Sequence, residues 1–214
     1  MKHRDEEIIK ERKAAAMAQL NDGEVISDEQ VQESIYEQSV HLGEMEVVFS
    51  RREVKEIGIS LYMPECFDVL DEELKKTFYP FGNRPQYVYA DFAIPFQITL
   101  NRTENVVPDD GIPKLMKMSA KIMENYGPKS KILANGVIRQ HDHNIGIMEV
   151  GTRAVDSNVH NVMFYISVEE KVVIGNITFA TKNSKQIIPI AKQIIDSIEF
   201  LEEKNDGNNN TSES

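Results

Sequence analysis

Residues 158–201 read NVHNVMFYISVEEKVVIGNITFATKNSKQIIPIAKQIIDSIEFL, and this stretch decides the fold. Its first half holds two runs that are rich in β-branched and aromatic residues, Val159–Val168 and Val172–Thr181. This composition is typical of strands. The short charged segment Glu169–Lys171 lies between the runs and predicts a three-residue hairpin turn.

The second half of the stretch predicts a one-sided helix. Its apolar residues recur at helical spacing, as Ile187, Ala191, Ile194, Ile195, Ile198 and Leu201. Pro189 removes one backbone donor, so we expect the regular helix to begin near Ile187, after a turn. A strand pair followed at once by an amphipathic helix predicts that the helix lies across the sheet.

The segments before this stretch continue the same pattern of strands and helices. Polar links at His141–Asn144 and Asp156–Asn158 are short, which favours antiparallel hairpins over parallel crossovers. The predicted strands are Glu44–Ser50, Glu56–Met63, Phe96–Arg102, Lys131–Arg139 and Ile145–Ala154. Asp71 is a predicted cap of a short helix, and Asp110 of a longer one that Gly127 and Pro128 end.

The two ends of the chain differ in composition from the middle. Residues 21–50 contain no lysine or arginine but eight acidic residues, which is typical of a linker or a solvated surface. We therefore predict an acidic and helical N-terminal arm over residues 1–43, partly disordered. A single α+β domain over residues 44–203 and a disordered polar tail over residues 204–214 complete the predicted organisation.

The net charge of −11 argues against nucleic acid and anionic membrane surfaces as partners. The single cysteine, Cys66, excludes an internal disulfide and fits a reducing compartment. The N-terminal residues lack the apolar segment of a secretory signal, and no run has the length of a transmembrane helix. We expect a cytoplasmic protein that binds a protein partner.

Two motifs resemble the PsbP-like family. The first is ISLYMP, Ile59–Pro64, which is similar to the family's opening strand that a proline follows. The second pairs EEKVV, Glu169–Val173, with the ending IAKQIIDSI, Ile190–Ile198. The family includes the extrinsic photosystem II subunit, a Ran-binding nuclear import factor and the bacterial DcrB lipoproteins.

The resemblance covers about residues 45–201 and has consequences for fold and function. It implies an α+β fold, a three-layer α-β-α sandwich on a curved, mostly antiparallel sheet, with a long C-terminal helix packed across it. It also implies a non-enzymatic accessory or protein-binding role. The family brings no catalytic motif and no cofactor to match on this sequence.

An aromatic stretch between residues 78 and 92 is punctuated by Pro80, Gly82 and Pro85, so we expect no regular element there. Two interpretations stay open: an aromatic loop folded over the sheet, or an exposed surface for a partner. The candidate partner-binding residues are Tyr79, Phe81, Tyr87 and Tyr89.

Chemistry-bearing residues are sparse. His141 and His143 flank Asp142 and are the candidate metal ligands, with His160 or Asp156 as a third ligand. The same residue types are also ordinary turn formers. Cys66 requires a neighbouring base to act as a nucleophile, and no local pattern supplies one.

Three functions therefore remain open. The first is a non-enzymatic interaction module, with a homodimer through sheet edges also possible. The second is a carrier or sensor of a small ligand on the open face of the sheet. The third is a metal-dependent hydrolase at the His141 and His143 turn.

Overall fold

A computed structural model describes residues 33–37, 39–80, 84–126, 129–153 and 158–201. The first 32 residues of the predicted arm, which was expected over residues 1–43, and the predicted tail over residues 204–214 lie outside the described residues. No helix in the described part of the chain is long and apolar enough to cross a lipid bilayer.

The described residues form twelve strands and three helices. In chain order these are β1 (Val40–Leu42), β2 (Met45–Val47), β3 (Phe49–Val54), β4 (Ile59–Pro64), β5 (Asp68–Val69), α1 (Glu72–Phe78), β6 (Tyr87–Ala90), β7 (Phe96–Val106), α2 (Ile112–Tyr126), β8 (Ser130–Gln140), β9 (His143–Arg153), β10 (Asn158–Val168), β11 (Lys171–Ala180), α3 (Ser184–Asp196) and β12 (Glu199–Phe200). Single turns of 3-10 helix precede α2 and α3.

Seven strands form one antiparallel sheet in the order β5-β6-β7-β11-β10-β9-β8. The smaller sheets are β12-β4-β3 and the ribbon β1-β2. The predicted α+β class with antiparallel sheets is confirmed.

The hairpin that decides the fold closes more tightly than the sequence predicts. Val168 pairs with Lys171, so the turn is only Glu169–Glu170 and the three-residue prediction was wrong. Both turn residues have positive φ, 49° and 61°. That pair of values is typical of a type I′ turn, whose twist matches the flanking strands.

The last helix differs from its prediction at both ends. It begins at Ser184, so Pro189 lies inside it, and it ends at Asp196 instead of reaching Leu201. A buried apolar face of five residues stabilises the helix and offsets the backbone hydrogen bond that Pro189 removes. Beyond Ser197, the chain turns into β12, which pairs with β4.

Two apolar clusters pack on opposite faces of the large sheet. The main cluster joins one face to α3 and to the β12-β4-β3 sheet, with Phe164 and Phe179 fully buried at its centre. The second cluster joins the other face to α2 through Ile112 and Met116. Ile122 of α2 is not among the residues of this cluster, and 57% of its surface is exposed.

The core also includes residues before the predicted domain start at residue 44. Ile35, Val40 and Leu42 are buried in the main cluster. Gln193 of α3 holds this segment, because its side-chain oxygen accepts a hydrogen bond from the Ile35 N–H at 2.9 Å. The same amide donates to the carbonyl oxygen of Glu33 at 3.1 Å.

Candidate functional site

Two of the four candidate partner-binding residues lie in the large sheet. Tyr87 and Tyr89 lie on β6, so the prediction of an irregular segment was wrong at these residues. Tyr89 is 5% exposed and belongs to the main cluster, and Tyr87 packs half-buried against it. Phe81 lies outside the described residues. A role of these side chains in partner binding stays a prediction.

Tyr79 follows α1 and lies over the sheet. Its hydroxyl accepts a hydrogen bond from the Gln97 side-chain amide of β7 at 2.7 Å. Burial raises the pKa of Tyr79 to about 12, although the bond from Gln97 lowers it. The phenol therefore stays neutral at physiological pH and serves as a hydrogen-bonding group.

The His141 and Asp142 side chains belong to a second type I′ turn. Both residues have positive φ, 46° and 64°, and the turn joins β8 to β9. His143 begins β9, where its ring stacks on Phe200 with 3.7 Å between centroids. Its Nδ1 lies 3.6 Å from the Asp109 carboxylate.

The described residues give this turn no third metal ligand. His160 pairs with Gly151 of β9. Gly151 lies eight residues after His143 on the same strand, so about 26 Å of strand separate His143 from the partner of His160. Asp156 lies outside the described residues. No group of three or more His, Cys, Asp or Glu side chains converges in the part of the chain that the structure describes.

A buried polar cluster that the sequence analysis missed joins α3 to the sheet. His160 is 3% exposed and stacks on Phe179 with 4.9 Å between centroids. Its Nδ1 lies 3.2 Å from the Ser184 hydroxyl, and its Nε2 lies 3.7 Å from the Glu149 carboxylate. Burial lowers the pKa of His160 more than Glu149 raises it.

This cluster has the residue types of a hydrolase triad but not its geometry. The Ser184 hydroxyl donates to the Thr181 carbonyl oxygen at 2.6 Å, which directs its proton away from His160. The distance between His160 Nε2 and Glu149 is longer than a hydrogen bond. The arrangement therefore serves to fasten α3, with Lys192 bound to Glu149 at 3.4 Å.

Cys66 is exposed after β4. Partial burial of the thiol and then the Asp91 carboxylate raise its pKa, so the sulfur stays protonated near neutral pH. A protonated thiol is a poor nucleophile.

β8 is an edge strand of the large sheet and is the most exposed of the strands longer than six residues in the described part of the chain. Eight of its 11 residues are exposed, including the whole run 133–139. Among the described strands, β9 is its only neighbour in the sheet. Leu133, Val137 and Ile138 present exposed apolar side chains along the strand. The amino-acid composition of β8 does not distinguish an edge strand from an inner strand, so the open edge could not be predicted from the sequence.

The turn between β8 and β9 determines which backbone N–H and C=O groups of β8 point away from β9. A two-residue loop closes on a hydrogen-bonded pair, here Gln140 and His143. The pairs then alternate, so Asn135, Val137 and Arg139 direct their N–H and C=O groups to the open edge. These residues supply three evenly spaced donor and acceptor pairs for another strand.

Comparisons with known proteins identify the fold. No protein-family model matches the chain, and no curated protein matches it either. The solved structure of cyanobacterial PsbP (CyanoP) from Synechocystis sp. PCC 6803 matches 75% of this chain and 97% of its own, at 10% identity and a TM-score of 0.54. LpqN of Mycobacterium tuberculosis, described as involved in cell envelope biogenesis, matches at 14% identity and a TM-score of 0.46, covering 73% of this chain and 92% of its own.

A third solved structure, PA94 from Pseudomonas aeruginosa, is described as a putative regulator of unknown function. It matches 70% of this chain and 94% of its own, at 13% identity and a TM-score of 0.41. The match to CyanoP spans nearly the whole of that protein and three quarters of this chain. The chain has the PsbP-like fold.

Proposed function

We propose that this protein is a non-enzymatic accessory module that binds a protein partner by adding a strand to β8. The observation that supports this function is the run of seven exposed residues, 133–139, on a strand that has one strand neighbour among the described residues. A long open edge is a template for pairing, and stable proteins cover or interrupt such edges. Strand addition is a common mode of peptide recognition.

The chemistry of β8 specifies the partner segment. Lys131 and Arg139 are exposed near its two ends, and no acidic residue lies between them. We therefore propose an extended segment with acidic residues near both ends and apolar residues between them. The apolar residues face Leu133 and Ile138 of β8 across the new pair.

A second copy of this chain fits the edge less well. In the antiparallel register that overlaps two β8 strands fully, Lys131 of each copy is opposite Arg139 of the other. Like charges directly opposite each other destabilise a strand pair. We therefore favour a different protein over a homodimer.

The test uses a proline at a residue whose N–H faces the open edge. Val137→Pro removes one outward donor and leaves the β8–β9 hydrogen bonds in place, since proline is tolerated on edge strands in this orientation. Val137→Ala is the matched control, because it keeps the donor. We expect the partner to co-purify with wild type and Val137→Ala but not with Val137→Pro.

Hydrogen exchange separates strand addition from other docking. The amides of Asn135, Val137 and Arg139 should exchange rapidly in the free protein and slowly in the complex. Equal partner recovery by Val137→Pro and Val137→Ala, at similar melting temperatures, would contradict the proposal. Unchanged exchange at these three amides in the complex would also contradict it.

The proposal also includes the architecture of the domain and its location in the cell. We take the domain to be the three-layer α-β-α sandwich that the family resemblance implies, with β8 at its open edge. We also propose a cytoplasmic location, supported by the single cysteine and by the exposure of that thiol. Fractionation of source cells tests the location.

A further inference from the structure

A polar trough lies on the face of the large sheet beside the α2 cluster. Its volume is 290 Å³, and Tyr79 and Pro85 form one wall. Met163 and Ile174, which pack against the α2 cluster, also line it. The rest of the lining is amide and hydroxyl side chains from three neighbouring strands: Gln97, Thr99, Asn101, Asn161, Asn176 and Thr178.

Part of the trough floor is a fixed hydrogen-bond network. The Asn176 amide donates to Asn161 Oδ1 and to the Thr178 hydroxyl, each at 3.0 Å. Thr178 in turn donates to Asn161 Oδ1 at 3.0 Å. These bonds fix the Asn176 amide with its Oδ1 buried and without a hydrogen bond from the described protein. Buried acceptors are seldom left unpaired, because that costs stability.

An apolar chamber of 140 Å³ adjoins the trough and shares Tyr79, Gln97 and Thr178 with it. Its other lining residues are Leu70, Phe78, Ala90, Asp91, Phe92, Ile94 and Phe96. The Phe78 and Phe92 rings are stacked, with 5.9 Å between centroids. A cavity of about 150 Å³ accommodates benzene, so the chamber has the size for one phenyl ring.

Charge further restricts what the trough can hold. None of the ten described residues that line it carries a charge. A charged ligand would lose its hydration there without a counter-ion. Asp91 at the chamber accepts a hydrogen bond from the Ala93 N–H at 2.7 Å, and its negative charge disfavours anions further.

We propose that the trough and chamber together bind one uncharged small molecule. Its polar part carries hydroxyl or amide donors that pair with the trough floor, and its apolar part is an aryl group in the chamber. The hydrogen bond between Tyr79 and Gln97 lies where the two cavities meet, so both side chains contact both parts of the ligand. This site is separate from the β8 edge and does not depend on partner binding.

The first experiment compares matched probes by NMR, using the side-chain amide signals of Gln97, Asn161 and Asn176. Phenyl β-glucoside and N-acetylphenylalanine amide are uncharged and carry a ring. Phenyl phosphate has the same ring on a charged head, and methyl β-glucoside has the polar head without the ring. We expect at least one uncharged aryl probe to shift the three amides at millimolar concentration, and both controls to bind at least about tenfold more weakly.

Two variants test the residues. Asn176→Asp is isosteric and places a negative charge on the floor, and Tyr79→Phe removes only the hydroxyl. Each variant should raise the dissociation constant of the aryl probe by about tenfold or more. Asn158→Asp is the control and should leave that constant unchanged, because Asn158 is an exposed residue of β10 outside the trough. Tyr79→Phe keeps the test decisive if Asn176→Asp fails to fold.

The proposal is overturned if neither uncharged aryl probe shifts the trough amides. It is also overturned if phenyl phosphate binds as tightly as the uncharged aryl probe that shifts these amides, or if Tyr79→Phe binds that probe as wild type does. Since the β8 edge takes no part in these measurements, such a failure leaves strand addition unaffected.

Discussion

The hydroxyl of Ser197 accepts a hydrogen bond from the backbone N–H of Tyr62, with 2.8 Å between the two heavy atoms. Tyr62 belongs to the ISLYMP strand and Ser197 to the IAKQIIDSI ending, so the two motifs that carry the PsbP-like resemblance meet at this bond. The same hydroxyl donates to the Ile194 carbonyl oxygen at 2.6 Å. Ser197 therefore terminates α3 and fastens its end to β4.

Ser197→Ala should lower the free energy of unfolding by about 1–3 kcal/mol. The hydroxyl is buried, and its removal leaves the Tyr62 N–H without this partner. Urea denaturation measures the change. Ser130→Ala is the control, because the described contact of that half-buried hydroxyl is with Thr152 alone. Equal losses in the two variants would contradict a special role for Ser197.

Gly175 is required by the ring of Phe164, which lies opposite it on β10. A Cβ at residue 175 would overlap that ring. Gly175→Ala should therefore cost about 1–3 kcal/mol or more in unfolding free energy. Adding Phe164→Leu supplies space, so the double variant should lose less than the sum of the single losses. A purely additive double-mutant cycle would refute this steric explanation.

The stability of the protein should depend on pH through His160. Burial lowers the pKa of His160 below the ordinary value of 6.5, so the unfolded chain binds its proton more readily. The stability due to neutral His160 is present above about pH 6.5 and is lost as the pH falls towards the folded pKa. Ser184 and Glu149 face the ring, and burial lowers the pKa of His160 more than the Glu149 carboxylate raises it.

Urea midpoints between pH 5 and pH 7.5 measure this dependence. His160→Gln should reduce the slope of stability against pH. A wild-type slope in His160→Gln would show that other groups cause the acid sensitivity.

The second residues of the two type I′ turns are non-glycine residues at positive φ, Asp142 at 64° and Glu170 at 61°. Glycine adopts this backbone without strain, so Asp142→Gly and Glu170→Gly should each stabilise the protein by about 0.5–1 kcal/mol. The exposed ion pair of Asp142 with Arg139 contributes little to offset this gain. Thermal unfolding measures both changes, and destabilisation by both glycines would contradict the argument.

Gly43 provides the reverse experiment. Its φ is 64°, and a Cβ there would meet no atom within 4 Å. Gly43→Ala should therefore destabilise the protein by about 1 kcal/mol through backbone strain alone. A neutral result in the same thermal assay would mean that the β1–β2 turn relaxes.

Local pattern in the sequence predicts the hairpin β10–β11 and the buried stripe of α3, because both depend on residue periodicity within one segment. Pattern failed at β12, since two residues, Glu199 and Phe200, are too few to show a period. They become a strand only because β4 is beside them. The same limit explains the misplaced end of α3.

The candidate sites depend on distant residues and so were harder to predict. The aromatic stretch stands out in the sequence by its composition. Composition does not show that β6 pairs with β7, and this pairing places the Tyr89 side chain in the core. The trough joins Tyr79 to strands that lie about 20 to 100 residues further along the chain. An open edge such as β8 is a property of the strand order, which no single segment encodes.

The contacts of α3 with the first described residues set the order in which the domain is completed. Gln193 bonds to Glu33 and Ile35 across more than 150 residues of chain, and β12 pairs with β4. During synthesis, residues 33–64 emerge before α3, and their apolar side chains contact α3 only after residue 196 has been added. Nascent chains that end before this helix therefore expose the apolar side chains of β3 and β4 that α3 covers in the folded domain. Such chains are prone to aggregation, and we expect chaperones to bind them at that stage.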